Sequence, residues 1–181
     1  AAYDSPGQLV RVDPATGRVV KSIPIGSPTA IAFGAEAVWI GGPYDGVTRI
    51  DPSTNTVRHY EPLPNTVTGI AVGNGYVWAT VGADDVVWQV DTDGNVQRSF
   101  GTGSGPSGVT VSGDTVWVAN SRDGTVTSVN PSEPNAPTTT RVGHRPAAVV
   151  AVPGASGAEL WLTVAERSAE SLLDRHELAD S

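Results

Sequence analysis

The sequence predicts an all-β protein of the β-propeller class, and its internal repeat is the main reason. Trp39, Trp78 and Trp117 follow one another at 39 residues (78 − 39 and 117 − 78), and Trp161 comes 44 residues later (161 − 117). A second landmark, the residue that ends a strand-like run, keeps nearly the same step at Asp13, Asp51, Asp91 and Asn130. The 21 Gly and 14 Pro are spread between these runs, which indicates many turns and short strands. A repeat of about 40 residues built from short alternating strands is typical of propeller blades.

Each repeat reads as four strands joined by tight turns. In the first whole repeat the strand-like runs are "AIAF", "VWIGG", "VTRID" and "TVRHYE", and the turns between them are "GAEA", "PYDG" and "PSTN". Gly, Asp, Asn and Pro stand where a chain reversal needs a positive or a fixed φ. The pattern predicts whole blades at about 28–62, 67–100 and 106–142, with one tryptophan of each second strand filling the space between neighbouring sheets.

The two ends of the repeat region each supply half a blade. Residues 8–25 provide only the third and fourth strands, and residues 146–165 provide only the first and second. We therefore expect a propeller of four blade units, with a composite blade closed by the N- and C-terminal segments, because a shared sheet leaves no open edge. A ring within one chain is the first expectation. A homodimer completing an eight-bladed ring and a piece of a longer array are the alternatives.

The tail at 166–181 changes character. Ala169, Leu172, Leu173 and His176 fall at helical spacing, and Ser168 is suited to cap a helix. The sequence predicts a short amphipathic helix here, which would dock on the propeller or serve as a tether.

Composition and charge narrow the range of partners. The chain has 11 basic and 19 acidic residues and a formal charge of −8, which argues against nucleic acid as a partner. It contains no apolar run long enough to insert in a membrane and no leader peptide, although a secreted chain after processing would look the same. The absence of cysteine excludes disulfides, thiolate metal ligands and cysteine nucleophiles.

Three segments resemble a known repeat. "GSPTAIAFGAEAVWIGGPYDGVTRIDPSTNTV", "GSGPSGVTVSGDTVWVANSRDGTVTSVNP" and "VGHRPAAVVAV" are similar to the YVTN-type bacterial β-propeller repeat, and the likeness extends over residues 8–165. The resemblance implies an extracytoplasmic or secreted sensor or binding module, and its relatives usually have six to eight blades. A more distant similarity to virginiamycin B lyase-like propellers implies the alternative of a metal-dependent lyase or hydrolase.

Candidate ligand contacts lie on the loops that follow the second and fourth strands. These loops share one face of a propeller, and loops on a rigid scaffold commonly carry function. Ser27, Asp45 and Asp123 also lie on this face. Asp45 and Asp123 precede glycine in turn dipeptides, and we interpret them as turn residues. The candidate contacts are Tyr44, Asp84, Asp85, Asn120, Arg122, His144 and Arg145.

The sequence indicates no catalytic constellation. His59, His144 and His176 lack the spacing of a metal pair, and the lyase resemblance would require paired histidines and an acid near the axis. "DTDGN" at 91–95 matches the hairpin turns "DPATG" and "DPSTN" better than a calcium loop, and "GTGSGPSG" precedes a strand, whereas phosphate loops precede a helix. We expect no catalytic residue, metal site or cofactor, and a binding module that presents an acidic loop face to a protein or cell-envelope ligand.

Overall fold

The structure is a computed structural model that describes residues 7–43, 46–60, 63–133, 137–154 and 157–165. In these ranges the regular structure is entirely antiparallel β-sheet, which confirms the predicted all-β class. No helix in the described ranges has the length and hydrophobicity needed to span a membrane. The predicted tail helix at 166–181 lies outside the described residues, as do Tyr44 and Asp45.

Three four-stranded sheets form the body of the molecule. The first contains β3 (Ala30–Gly34), β4 (Ala37–Gly41), β5 (Val47–Ile50) and β6 (Val57–His59). The second contains β7 (Val67–Gly73), β8 (Tyr76–Val81), β9 (Val86–Asp91) and β10 (Val96–Gly101). The third contains β11 (Pro106–Ser112), β12 (Thr115–Asn120), β13 (Thr125–Val129) and β14 (Thr138–Arg141). Each is a meander in chain order, as a propeller blade requires, and we call them blades 1, 2 and 3.

The chain ends in a hairpin on each side of these blades. β1 (Gln8–Val12) pairs only with β2 (Val19–Pro24), and β15 (Pro146–Gly154) pairs only with β16 (Gly157–Val164). Among the described residues the two hairpins form separate two-stranded sheets, so the structure does not show the expected composite blade or a closed ring. The first hairpin packs on blade 1 and the last on blade 3, which leaves their free edges at opposite ends of an open array.

The turns explain why the strands begin and end where they do. Asn74 and Gly75 join β7 to β8 with φ values of 56° and 77°, the conformation of the two-residue hairpin turn that matches strand twist. The loop after each third strand is folded around an aspartate or, after β13, around Asn130. Hydrogen bonds from the Ser53 hydroxyl and then from backbone N–H groups lower the pKa of the Asp51 carboxyl. The pKa of Asp91 is lowered chiefly by a hydrogen bond from the Asn95 side chain. These turns recur because the same polar residue accepts the same local hydrogen bonds.

The tryptophans of the second strands pack between blades. Trp39 and Trp78 are completely buried, and their indole Nε1 atoms donate to the backbone oxygens of Gly34 and Gly73 at 3.0 and 3.2 Å. Trp117 is half-buried, and Trp161, on the last hairpin, is 63% exposed. The exposure follows the packing, because no blade among the described residues covers Trp161.

Blades approach one another closely through repeated contacts. A Cβ atom on Gly34 would lie 2.6 Å from Val72, and one on Gly73 would lie 2.6 Å from Val111, so glycine is needed for the sheets to meet. Hydroxyl groups of the first strands add bonds across the same gaps, from Thr68 Oγ1 to the Pro106 oxygen at 2.7 Å. Trp88, the additional tryptophan, is half-buried and packs against the core between blades 1 and 2.

Candidate binding site on the loop face

The loops that follow second and fourth strands all lie at one end of the blades, because successive strands of a meander run in opposite directions. We call this end the loop face. In the described residues it consists of the loops 25–29, 42–43, 63–66, 82–85, 102–105, 121–124 and 142–145. The candidate residues Asp84, Asp85, Arg122, His144 and Arg145 are on these loops.

Two aspartates hold the glycine-rich loop at 102–105. Asp85 Oδ1 accepts a hydrogen bond from the Gly105 N–H at 2.7 Å, and Asp123 Oδ2 accepts one from the Ser104 N–H at 2.7 Å. Thr125 Oγ1 donates to the other oxygen of Asp123 at 2.6 Å. Hydrogen bonds to a carboxylate are stronger than neutral ones, so these acids fix the positions of neighbouring loops. Asp123 thus has a structural role, as a turn residue should.

Asn120 lies beneath the loop face. Its side chain is completely buried, and its Nδ2 donates to Thr125 Oγ1 and Thr127 Oγ1, both at 2.9 Å. The Gly103 N–H also donates to Thr127 Oγ1, at 3.0 Å. Asn120 Oδ1 is buried without a hydrogen-bond partner among the described residues. In this position Asn120 braces the loop above it, and a ligand on the surface would not reach its side chain.

Asp84 joins two loops at the surface. It is exposed, and its Oδ1 accepts a hydrogen bond from Asn65 Nδ2 at 2.8 Å. Ser27 is exposed on the loop before blade 1. The candidate Tyr44 and the predicted turn residue Asp45 lie outside the described residues.

Arg122, His144 and Arg145 come together in one cleft between blade 3 and the last hairpin. The cleft has a volume of about 370 Å³, and its lining is completed by Asp123, Gly124, Arg141, Gly143 and Ala165. All three arginines and His144 are exposed. We call this feature the arginine cleft.

Backbone bonds give the arginine cleft a fixed shape. The N–H groups of Val142 and Gly143 both donate to the Gly124 oxygen, at 3.0 and 3.2 Å, and Gly143 has a φ of 105° that side chains rarely tolerate. Gly105 lies under the Arg122 side chain so closely that a Cβ there would be 2.6 Å from Arg122 Cγ. The cationic groups are therefore carried on neighbouring loops of blade 3 whose backbones are hydrogen-bonded to each other.

The charge of this cleft differs from the acidic face expected from composition. Three guanidinium groups face one carboxylate, Asp123, both of whose oxygens already accept hydrogen bonds from the protein. Composition could not reveal this, because acidic residues of the face hold neighbouring loops while the basic side chains of the cleft are exposed. Arg141 was not among the sequence candidates. The sequence could have indicated Arg141 as a residue of the loop face, because it is the last residue of a fourth strand and directly precedes a loop of that face.

The two histidines among the described residues lie far apart in the fold. His59 lies on the outer strand β6, where its Nδ1 is 3.1 Å from Thr48 Oγ1, and His144 lies in the arginine cleft. Across the described ranges no group of three or more His, Asp or Glu side chains is placed to hold a metal ion. The cleft offers cationic hydrogen-bond donors for an anionic group.

Comparisons with known proteins identify the fold. No protein-family profile matches the sequence, and no curated protein matches it significantly. The structure is similar to a catalytically inactive virginiamycin B lyase from Staphylococcus aureus bound to quinupristin, with a TM-score of 0.72, 21% identity, and coverage of 88% of this chain and 57% of that one. It is also similar to the RRP9 WD40 repeats, with a TM-score of 0.72, 16% identity, and coverage of 90% and 55%.

A third similar structure is the computationally designed Ika4 protein, with a TM-score of 0.59, 18% identity, and coverage of 77% of this chain and 92% of that one. The chain thus spans a little over half the length of the lyase and of the WD40 protein. At these identities the likeness concerns the fold alone, and a fold shared by a lyase and a WD40 protein does not specify an activity. The four-stranded meanders and these neighbours together show that the chain has the fold of a β-propeller.

Proposed function

We propose that this protein is a non-catalytic binding module that uses the arginine cleft to hold an anionic group of a protein or cell-envelope ligand. The observation that carries the proposal is the convergence of Arg122, Arg141 and Arg145, together with His144, on one cleft of the loop face. Arg122 and Arg141 belong to blade 3, and His144 and Arg145 lie on the loop that leads from blade 3 into the last hairpin.

The chemistry of the cleft favours an anion. A guanidinium group presents several N–H donors in a planar fork that matches the oxygens of a carboxylate or a phosphate. The one carboxylate of the lining is occupied by Ser104 and Thr125 and leaves the arginines available. Because backbone bonds already fix the loops, binding would cost little ordering of the backbone.

The repeat supports the same class of function. Its resemblance to the YVTN-type repeat favours a sensor or binding module in an extracytoplasmic or secreted location, where anionic polymers and protein surfaces are available. The metal-dependent lyase or hydrolase alternative would need convergent histidines and an acid. His59 lies on the outer strand of blade 1 and His144 in the arginine cleft beside blade 3, and this separation favours binding over catalysis.

A binding measurement with matched variants tests the proposal. The probes are immobilised poly-L-glutamate and immobilised poly(glycerol phosphate), which carry carboxylate and phosphate groups on otherwise simple chains. The cleft variant is Arg122→Ala with Arg145→Ala. The control is Arg18→Ala with Arg58→Ala, which removes the same charge from exposed positions away from the loop face.

The wild type and the control should bind one probe with the same affinity, and the cleft variant should bind at least about tenfold more weakly, since a hydrogen bond to a charged group contributes about 1.5–3 kcal/mol. Binding should weaken as salt rises and should be unaffected by a chelator. Equal losses in the two variants would show that only net charge matters. That result, or no binding of the wild type to either probe, would refute the proposal.

A further inference from the structure

The open array exposes an apolar surface at each end. At one end, Ile31 and Phe33 of β3 are 61% and 70% exposed. At the other end, Val150 and Trp161, a cross-strand pair of β15 and β16, are 51% and 63% exposed. Large apolar side chains grouped on a sheet face commonly mark an interaction surface. We call these two surfaces the β3 face and the Trp161 face.

The repeat shows that these two surfaces are complementary. Ile70 and Val72 occupy in blade 2 the positions that Ile31 and Phe33 occupy in blade 1, 39 residues earlier (70 − 31 and 72 − 33). Both pack in the core that contains Trp39. The cross-strand pair of Ala32 with Trp39 corresponds to the pair of Val150 with Trp161. The Trp161 face is therefore built to cover a β3 face as blade 1 covers blade 2.

The free strand edges are complementary in the same way. β16 corresponds to a second strand and β1 to a third strand, and in every whole blade these two strands are hydrogen-bonded. The tryptophan always pairs with the residue two positions before the polar residue that ends the third strand: Trp39 with Arg49, Trp78 with Gln89, and Trp117 with Ser128. The same register would pair Trp161 with Arg11, and Thr163 with Leu9.

We propose that two copies of this chain join end to end, each β16 pairing with the β1 of the other copy, into one closed eight-bladed ring. Within one chain the two hairpins are separate sheets and both apolar faces are exposed. The array superposes, at a TM-score of 0.72, on only 57% and 55% of longer propeller chains, so its curvature suits about half of a larger ring. Two sets of four blade units give eight, which is within the usual range of about four to eight blades.

This assembly has a consequence for the loop face. Val67, at the start of blade 2, donates its N–H to the Gly42 oxygen directly after β4. By the repeat, the partner's loop at Pro28 would lie in the same way beside Val164, the last residue of β16. Ala165, the next residue, lines the arginine cleft. The second copy would thus contribute a wall to that cleft, although the pairing itself does not depend on what the cleft binds.

The mass of the protein in solution, measured for the wild type and for variants with a charge introduced on each apolar face, tests the pairing. The wild-type chain should have the mass of two chains by analytical ultracentrifugation. Trp161→Glu and Phe33→Lys should each give single chains, and because both side chains are mostly exposed in one chain, their circular dichroism should remain that of the wild type. A mixture of the two variants should recover the double mass. In the mixed ring one interface joins the introduced carboxylate to the introduced ammonium and the other joins two unaltered faces.

Disulfide capture distinguishes pairing between chains from closure within one. The protein has no cysteine, so Leu9→Cys with Thr163→Cys introduces the only two thiols. Directly opposed residues of antiparallel strands, about 4.5–5.5 Å apart at Cα, suit a disulfide. Oxidation should give a covalent dimer on non-reducing gels, and the control pair Leu9→Cys with Thr138→Cys should not. A wild type with the mass of one chain, a crosslink confined to single chains, or no recovery in the mixture would overturn the proposal.

Discussion

Replacing two equivalent tryptophans by phenylalanine should have unequal effects on stability. Trp78 is completely buried and its Nε1 donates to the Gly73 oxygen at 3.2 Å. The Nε1 of Trp117 is also buried but has no hydrogen-bond partner within the described residues. Trp78→Phe therefore leaves a carbonyl without its donor, whereas Trp117→Phe removes an N–H group that was buried at a cost. Trp78 is also more completely buried than Trp117, so its replacement loses more buried apolar surface and adds to the difference in the same direction.

The expected difference follows from the cost of an unpaired buried polar group, about 1–3 kcal/mol. Trp78→Phe should lower the free energy of unfolding by about 2 kcal/mol more than Trp117→Phe does. The measurement is urea unfolding followed by far-ultraviolet circular dichroism at one chain concentration, with equal slopes required of both variants. If Trp117→Phe proved equally or more destabilising, the hydrogen-bond reasoning would be wrong.

Two further changes probe the repeat itself. Gly73→Ala would place a Cβ 2.6 Å from Val111 and should lower the free energy of unfolding by about 1–3 kcal/mol. The control Gly101→Ala has open space around the new Cβ and should change the free energy of unfolding little. Equal thermal and urea stabilities of the two variants would contradict the close approach of the blades. Hydrogen bonds from the Ser53 hydroxyl and from backbone N–H groups lower the pKa of Asp51 below its ordinary 3.8. The ionised Asp51 therefore stabilises the folded state above the pKa that it has in the unfolded chain, and this stabilisation is lost as pH falls through the lower pKa of the folded state. Asp51→Asn should keep the turn, as Asn130 does at the equivalent position, and should flatten the acid side of the stability profile; an unchanged acid slope would count against this role.

The site could be predicted only in part. Arg122, His144 and Arg145 were recognisable because the repeat places their loops on one face, and the structure brings them into one cleft. The uses of Asp85 and Asn120 were not recognisable, since a carboxylate that holds a backbone N–H and an amide buried under a loop look like surface polar residues in a sequence. The role of Asp85 depends on a contact between neighbouring blades, and that of Asn120 on contacts with the adjacent strand of blade 3.

The sequence by itself determined the strands, the turns and the four-stranded unit, because hydrophobic alternation, glycine and local hydrogen bonds act within about 40 residues and recur with the repeat. Tertiary structure decided what happens between units. Trp78 is buried and Trp161 is exposed, although both occupy the same position of the repeat. The loop face of this acidic chain also contains a cationic cleft. The physical reason is that burial and net local charge depend on which neighbour covers a side chain, and a repeating sequence does not specify where the array of neighbours ends.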